Sequence, residues 1–387
     1  MIKDIILLVF GAVLGVIFPE LYKAIEKKRK KAKDNDILDK INKEPLFKSD
    51  SYMALDHAIP FYNEKNIDIN DSGELLFLEL PEEYVEILQQ YKFIGKNESL
   101  FKGLNSLKEL FEKMNINYSD SLVEESKKEV AQNIINSIEK GIQRFNGKMY
   151  GIKNIKLTRT PDDEEAGFIM NLYTTDFYTY NVFGNIYSKL RITKENPKIV
   201  GVQDLNLYPS FLASFGVSGF VIFNRGAGDE ILIGKRSEAV NVDKGKWHFS
   251  MNEAFSIKDK DYYNKPSLEA CFFRGIKEEL GINEIFKKSH INQWGFMDFD
   301  IDIERFEIGI TSFVRIKFDK SFTFKNLINL YKIAQDGKLE TDTVIPLLVT
   351  DIDTFIKQNY DDISVCCRNA LVSLRTRYMA GYFDEGI

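Results

Sequence analysis

The stretch Ser267–Ile282, SLEACFFRGIKEELGI, constrains this chain more than any other. Ser267 is a capping residue set just before an apolar run, and Gly281 stands where a helix stops, so the spacing predicts a helix between them. Residues three and four apart share a helix face, which puts Arg274 one turn before Glu278 and able to pair with an acid. Glu278 and Glu279 bring two carboxylates to one end of that helix. Converging carboxylates suit Mg²⁺ or Mn²⁺, hard cations that take oxygen ligands and bridge to phosphate. Glu278 and Glu279 are therefore candidate metal ligands and catalytic groups, with Arg274 as a ligand-binding or orienting partner.

The flanks supply a sheet for that helix. Val217–Phe223 reads as a buried strand, Asn224–Glu230 as its turn, and Ile231–Ser237 as the returning strand of a hairpin with Arg236 on its charged edge. Gly245–Ser250 reads as a third short strand carrying Trp247. A polar loop with Asp259, Asp261 and Pro266 leads into the helix. Further strands are expected near Trp294–Phe299 and Glu307–Phe318, then a segment around Pro346 and a closing helix over Ile363–Tyr378.

This order, ending in R-x-hydrophobic-x-E-E-x-G-hydrophobic, resembles the Nudix superfamily, whose box ends R-E-U-x-E-E-x-G-U. The matching positions are Arg274, Ile276, Glu278, Glu279, Gly281 and Ile282. The resemblance implies an α/β sandwich with a mixed sheet over residues 150–387, a nucleotide ligand and a divalent cation such as Mg²⁺. Two departures stand out. The acid that follows the Arg in the family is Gly275 here, and the family's Gly-rich loop is replaced by Ser250-Met-Asn-Glu-Ala-Phe255, with Pro266 at the place of its Glu. Glu253 is a candidate substitute metal ligand, and Glu340, at the end of Gln335–Glu340, another. Upstream, Thr174-Thr-Asp-Phe-Tyr178, the lost Gly-Gly loop and the apolar N-terminus resemble SMODS-associated Nudix proteins of CBASS-type antiviral defence. That likeness implies a domain that senses a cyclic nucleotide and a membrane segment that acts as effector. Tyr173, Asp176, Tyr178, Arg236, Trp247 and Arg274 are the expected ligand-binding residues.

The N-terminus reads as a single membrane helix. Ile5–Phe18 carries no charge, and Ile2 with Leu21–Tyr22 extends its apolar length toward the roughly 20 residues a bilayer core requires. Lys23, Lys27, Lys28, Arg29, Lys30, Lys31 and Lys33 follow, a cluster that holds its side in the cytoplasm. A secretory signal would put its positive region first and a small-x-small cleavage site after; here the order is reversed and no such site appears. Residues 1–33 are thus expected to be an inner-membrane anchor with a cytoplasmic C-terminal domain. Gly11 and Gly15 form a GxxxG, which lets two such helices pack closely and suggests a homo-oligomer.

Residues 34–149 read as mainly helical, with starts at Pro81 and apolar stripes over Leu100–Met114 and Val123–Phe145. After Gly147 the period changes to two, and Ile152–Thr160 and the aromatic-rich Phe168–Tyr187 read as sheet. His57 lies among Leu55, Ile59 and Phe61 and reads as structural. With 44% hydrophobic residues the chain can bury a core, and a net charge of -6 argues against a partner such as double-stranded nucleic acid. Cys271, Cys366 and Cys367 do not make a disulfide framework, and His57, His248 and His290 show no zinc-ligand spacing. Two functions compete: a nucleotide receptor that clusters the membrane helix, and a Mg²⁺-dependent hydrolase of a nucleoside diphosphate derivative.

Overall fold

The computed structural model describes residues 2–43, 51–94, 100–102, 106–142, 144–160, 164–238, 240, 242–282, 290–334 and 340–383. It is a mixed α/β protein with two sheets. The larger runs β1 (Tyr52–His57), β10 (Ile291–Asp302), β11 (Glu307–Ile316), β6 (Phe215–Asn224), β7 (Asp229–Arg236) and β12 (Thr341–Leu348). Short strands β8 (Trp247–His248) and β9 (Met251–Ala254) pair with β7 and β6. The β11–β6 pair is parallel and the others are antiparallel, so the sheet is mixed.

Alternation along β6 gives this sheet two buried faces. Val217, Val221 and Phe223 point to the side covered by α7 (Leu268–Leu280) and α8 (Phe324–Ile333). Phe220 and Ile222 point to the opposite side, under α9 (Ile352–Gln358) and α10 (Val365–Met379). The hairpin, the Trp247 strand, the two later strands and the closing helix thus stand in the expected order.

The second sheet runs β3 (Leu100–Lys102), β2 (Ile67–Phe77), β5 (Ala166–Asp176), β4 (Lys148–Arg159), with β2 and β5 parallel. Residues 34–149, expected as mainly helical, therefore also supply three strands, and the expected boundary at residue 150 falls inside β4. Polar strands such as β2, IDINDSGELLF, carry too little alternation to be read alone. Three helices of this region do form: α2 (Glu82–Gln90), α3 (Leu107–Lys113) and α4 (Asp120–Glu139).

A second correction concerns Phe168–Tyr187. Only its first part is strand. From Phe177 it is helix α5 (Phe177–Thr193), because Asp176 caps it by accepting the Thr179 N–H at 2.8 Å. Tyr178, Val182, Phe183, Ile186, Tyr187 and Leu190 are buried at helical spacing. A one-turn helix, α6 (Val202–Leu205), follows. Ring pairs Tyr150–Phe255, Phe168–Phe299 and Tyr187–Phe306, at 5.6, 5.5 and 4.9 Å, weld the two sheets into one core.

The N-terminal helix α1 spans Ile2–Lys43 and contains Pro19. The apolar run Ile5–Phe18 falls within it, but the side chains of residues 1–18 lie outside the described ones. Among the described residues no helix is long and apolar enough to cross a membrane. The C-terminal turns of α1 dock on the end of α10: Ile37 and Ile41 are buried with Tyr382, and Lys33 Nζ sits 4.7 Å from the Tyr382 ring.

Candidate functional site

Helix α7 is capped by Ser267, whose hydroxyl accepts the Ala270 N–H, and ended by Gly281 at φ 70°, a conformation that favours glycine. Its apolar residues Leu268, Cys271, Phe272, Ile276 and Leu280 are buried against the sheet. This leaves Arg274 and Glu278 on a half-exposed side one turn apart, as the spacing predicts.

Arg274 is a hub. Its Nε and Nη2 donate to the two oxygens of Asp259 at 2.7 and 2.9 Å, and Nη1 donates to Glu278 at 3.1 Å and lies 2.7 Å from Glu253. Nη2 also donates to the Ala254 carbonyl at 2.7 Å. Asp259 is itself buried and fixed by the Ser256 N–H at 2.7 Å. One guanidinium thus faces three carboxylates. Glu253 responds to the imbalance: burial, opposed by Arg274 and reinforced by Glu278 and Asp259, pushes it from its ordinary 4.5 up to about 7.

Gly275 explains the missing box acid. A Cβ here would lie 2.6 Å from Met251 Cε and 2.9 Å from Glu253 Cβ, so the helix backbone packs directly on β9. Glu253, on that strand rather than in a loop, fills the space beside Gly275 and brings its own carboxylate to Arg274.

Glu279 turns inward. It is buried and accepts the Asn252 N–H at 2.7 Å, and burial, with Glu340 adding, raises its pKa well above the carboxylate range. Glu340 lies with Arg236, whose Nη2 is 3.5 Å away; Gln335–Leu339 lie outside the described residues. Among the described residues, no three of Glu253, Glu278, Glu279 and Glu340 bring ligand oxygens within 4.8 Å of one another. The expected Mg²⁺ ligands thus stand in two groups, Glu253 and Glu278 on Arg274 and Glu279 beside Glu340. The acids that meet do so on Arg274 Nη1, and a hard cation does not fit there while the guanidinium stays.

Solved structures resemble part of the chain. DR0079 from Deinococcus radiodurans is 12% identical, with 41% of this chain and 82% of that one covered and a TM-score of 0.28. A mutT/nudix family protein from Listeria innocua is 11% identical, covering 44% and 96%, TM-score 0.26. The NUDIX domain of Shewanella oneidensis NrtR, complexed with ADP ribose, is 10% identical, covering 43% and 86%, TM-score 0.25. Nudix proteins are among these neighbours. No protein-family model and no curated protein matches the chain.

The remaining expected ligand residues are dispersed. Tyr173 is buried in the smaller sheet and donates its hydroxyl to the Pro209 carbonyl at 2.7 Å; Tyr178 donates to the Lys127 carbonyl at 3.1 Å. Asp176 is the cap of α5. These three build the fold and do not join the α7 acids. Trp247 packs edge-on against Phe355 at 5.7 Å, on the α9–α10 side. Arg236 alone of this group lines a polar cavity of about 200 Å³ on the face of β6 opposite α7. Arg305, Tyr180, Asp302 and Glu307 line it too, with Arg305 paired to Asp302 at 2.6 Å. The reading of the sequence missed Arg305 and Asp259, since both lie in loops and no spacing ties either to α7.

Proposed function

We propose that the larger sheet and its helices form a Nudix-type domain that binds a nucleotide derivative and turns it over slowly or not at all. The observation that carries this is Arg274, whose guanidinium holds Glu278 and Glu253, while Glu279 is turned away from it onto the Asn252 N–H. Gly275 adds to it, because the close approach of α7 to β9 leaves no room for the absent acid. Arg236, Arg305 and Tyr180 line one cavity and supply guanidinium donors and an aromatic ring. They are set among Asp243, Asp300, Asp302 and Glu307, so a nucleotide phosphate there would have to displace Arg305 from Asp302. The ADP ribose of the Shewanella NrtR structure is a ligand of the proposed class.

The chain is further proposed to be a single-pass membrane protein with its C-terminal domain in the cytoplasm, supported by the uncharged run Ile5–Phe18 and the basic cluster after it. Helix α10 then gives the signal a route. Cys366 in its first turn lines the cavity, and Tyr382, just beyond its end, holds Ile37 and Ile41 of α1. Ligand binding at one end of α10 would bias how α1 is held at the other and so cluster the anchors as homo-oligomers. This is the role that the resemblance to CBASS-type effectors implies, with a cyclic oligonucleotide as the signal.

The hydrolase reading keeps one supporting observation. Glu253 and Glu278 both reach Arg274 Nη1, so a swing of that side chain would free two carboxylates for Mg²⁺.

A thermal-shift screen of the detergent-solubilised full chain tests the binding claim. Cyclic di- and trinucleotides, dinucleotide cofactors, nucleotide sugars and ADP-ribose are the probes. A ligand that binds only the folded state raises the melting temperature by mass action. We expect at least one to do so, and the rise to survive Glu278→Gln with Glu279→Gln. No shift with any probe at millimolar concentration contradicts the proposal.

A further inference from the structure

The polar cavity holds a second constellation that sequence spacing conceals. Asp243 lies in the turn before β8, held inward by a left-handed backbone at φ 51°. His248 is on β8, opposite Gly234 of β7. Cys366 comes from the first turn of α10, 118 residues after His248. Their ligand atoms all lie within 4.8 Å of one another, with Cys366 Sγ 3.8 Å from His248 Nε2. Among the described residues no other trio of histidine, cysteine or carboxylate groups comes so close.

The donor set decides the metal class. One imidazole nitrogen, one sulfur and one carboxylate oxygen suit zinc-class ions, whereas Mg²⁺ and Ca²⁺ take oxygen. Tetrahedral bonds of about 2.0–2.1 Å to nitrogen and 2.3 Å to sulfur put those two atoms about 3.5 Å apart. The observed 3.8 Å is a few tenths of an ångström from that edge. A packing account covers less. It explains His248 lying edge-on to Phe249 at 5.0 Å, Asp243 lying 4.0 Å from Arg305 and Cys366 lying 3.5 Å from Ser364, but none of these contacts requires the three donor atoms to face one point. His248 is buried while Asp243 and Cys366 are half-buried, and all three line the one cavity.

We propose that Asp243, His248 and Cys366 bind one zinc-class divalent ion, whose remaining coordination position opens into the polar cavity. Three protein ligands with one open position is the arrangement in which such ions bind an exogenous oxygen. The ion would also tie the β7–β8 turn to the start of α10. The site stands apart from the α7 acids and does not depend on the nucleotide reading.

Cobalt titration of the purified, untagged full chain, reduced and stripped with chelator, tests it. Binding should displace the Cys366 proton and give a thiolate-to-cobalt charge-transfer band with the intense visible bands of tetrahedral Co²⁺. Saturation should come at one equivalent, and one equivalent of Zn²⁺ should discharge the colour. Cys366→Ser should abolish the charge-transfer band, and Cys367→Ser should leave it. His248→Ala should weaken Co²⁺ by more than the about 10–100-fold that loss of an outer partner costs. Asp243→Asn, in a half-exposed turn, covers the case in which a buried variant does not fold, and should weaken Co²⁺ at least about tenfold. Absence of the band in the folded parent overturns the proposal. So does a band that survives Cys366→Ser, or Co²⁺ affinity unchanged by Asp243→Asn.

Discussion

Two arginines anchor buried clusters in this molecule, and they are balanced in opposite ways. Arg377 on α10 is fully buried and donates to the carbonyls of Ala58, Pro60, Met297 and Ser373 and to one carboxylate, Asp298. Asp298 also accepts the Ser373 hydroxyl and lies 2.8 Å from His57 Nδ1. Burial alone would raise Asp298, but Arg377 and His57 outweigh it and hold the acid below its usual range. Arg274 instead serves three acids, and Glu253 is driven up. A cluster with one acid per arginine and donors to spare has settled into structure, here the seam joining β1, β10 and α10. A cluster with surplus carboxylate stays poised for a ligand that reorders it.

The comparison breaks first at Arg377. Replacing it with Met leaves Asp298 buried without its main counter-charge and several carbonyls without donors, which should cost about 3–5 kcal/mol. Denaturant unfolding reads this directly, and a loss below about 1 kcal/mol would show that the seam is not held by that arginine. At the other hub, Gly275→Glu tests whether the missing acid could be restored. Its Cβ would meet Met251 and Glu253, so we expect overpacking of about 1–3 kcal/mol and no gain of hydrolysis. Gained Mg²⁺-dependent turnover would show that α7 can move off β9.

The pH dependence is the sharpest in sign. The folded-state pKa of Glu253 is raised, so between its ordinary 4.5 and about 7 the folded chain holds a proton that the unfolded chain has lost. Glu253 therefore makes stability fall as pH rises through that window, by at most about 1.4 kcal/mol per pH unit. Asp298, depressed, contributes stability that is present above its ordinary 3.8 and is lost as pH falls toward its folded value. Glu253→Gln should make the fall between about 4.5 and 7 shallower and keep the acid limb, the remaining slope coming from Glu279, Asp300 and Glu307, whose burial raises them too. Melting curves of parent and variant across pH 3–8 (approximate range) check both.

Legibility in the sequence followed locality. The α7 cap and stop, Ser267 and Gly281, and the pairing of Arg274 with Glu278 are local, and could be read directly. The N-cap at Asp176 was also local, yet the Tyr- and Phe-rich run behind it reads as sheet by propensity, although its buried positions recur at three and four. Asp259, fifteen residues before Arg274, reaches it only because the β9–α7 loop folds back. Asp243, His248 and Cys366 meet through the placing of α10 over β8, and no spacing rule reaches across 118 residues. The loss of the box acid was visible as Gly275, but its reason, contact with β9, was not.

The central claim is that the Arg274 hub makes this a domain that binds without efficient chemistry. Turnover of whichever nucleotide raises the melting temperature, assayed with saturating Mg²⁺ in the parent and in Glu278→Gln with Glu279→Gln, tests it most directly. The account predicts binding in both, with product release far below about 1 s⁻¹, the low end of ordinary enzymes. Release at or above that rate in the parent, abolished in the double variant, would contradict it.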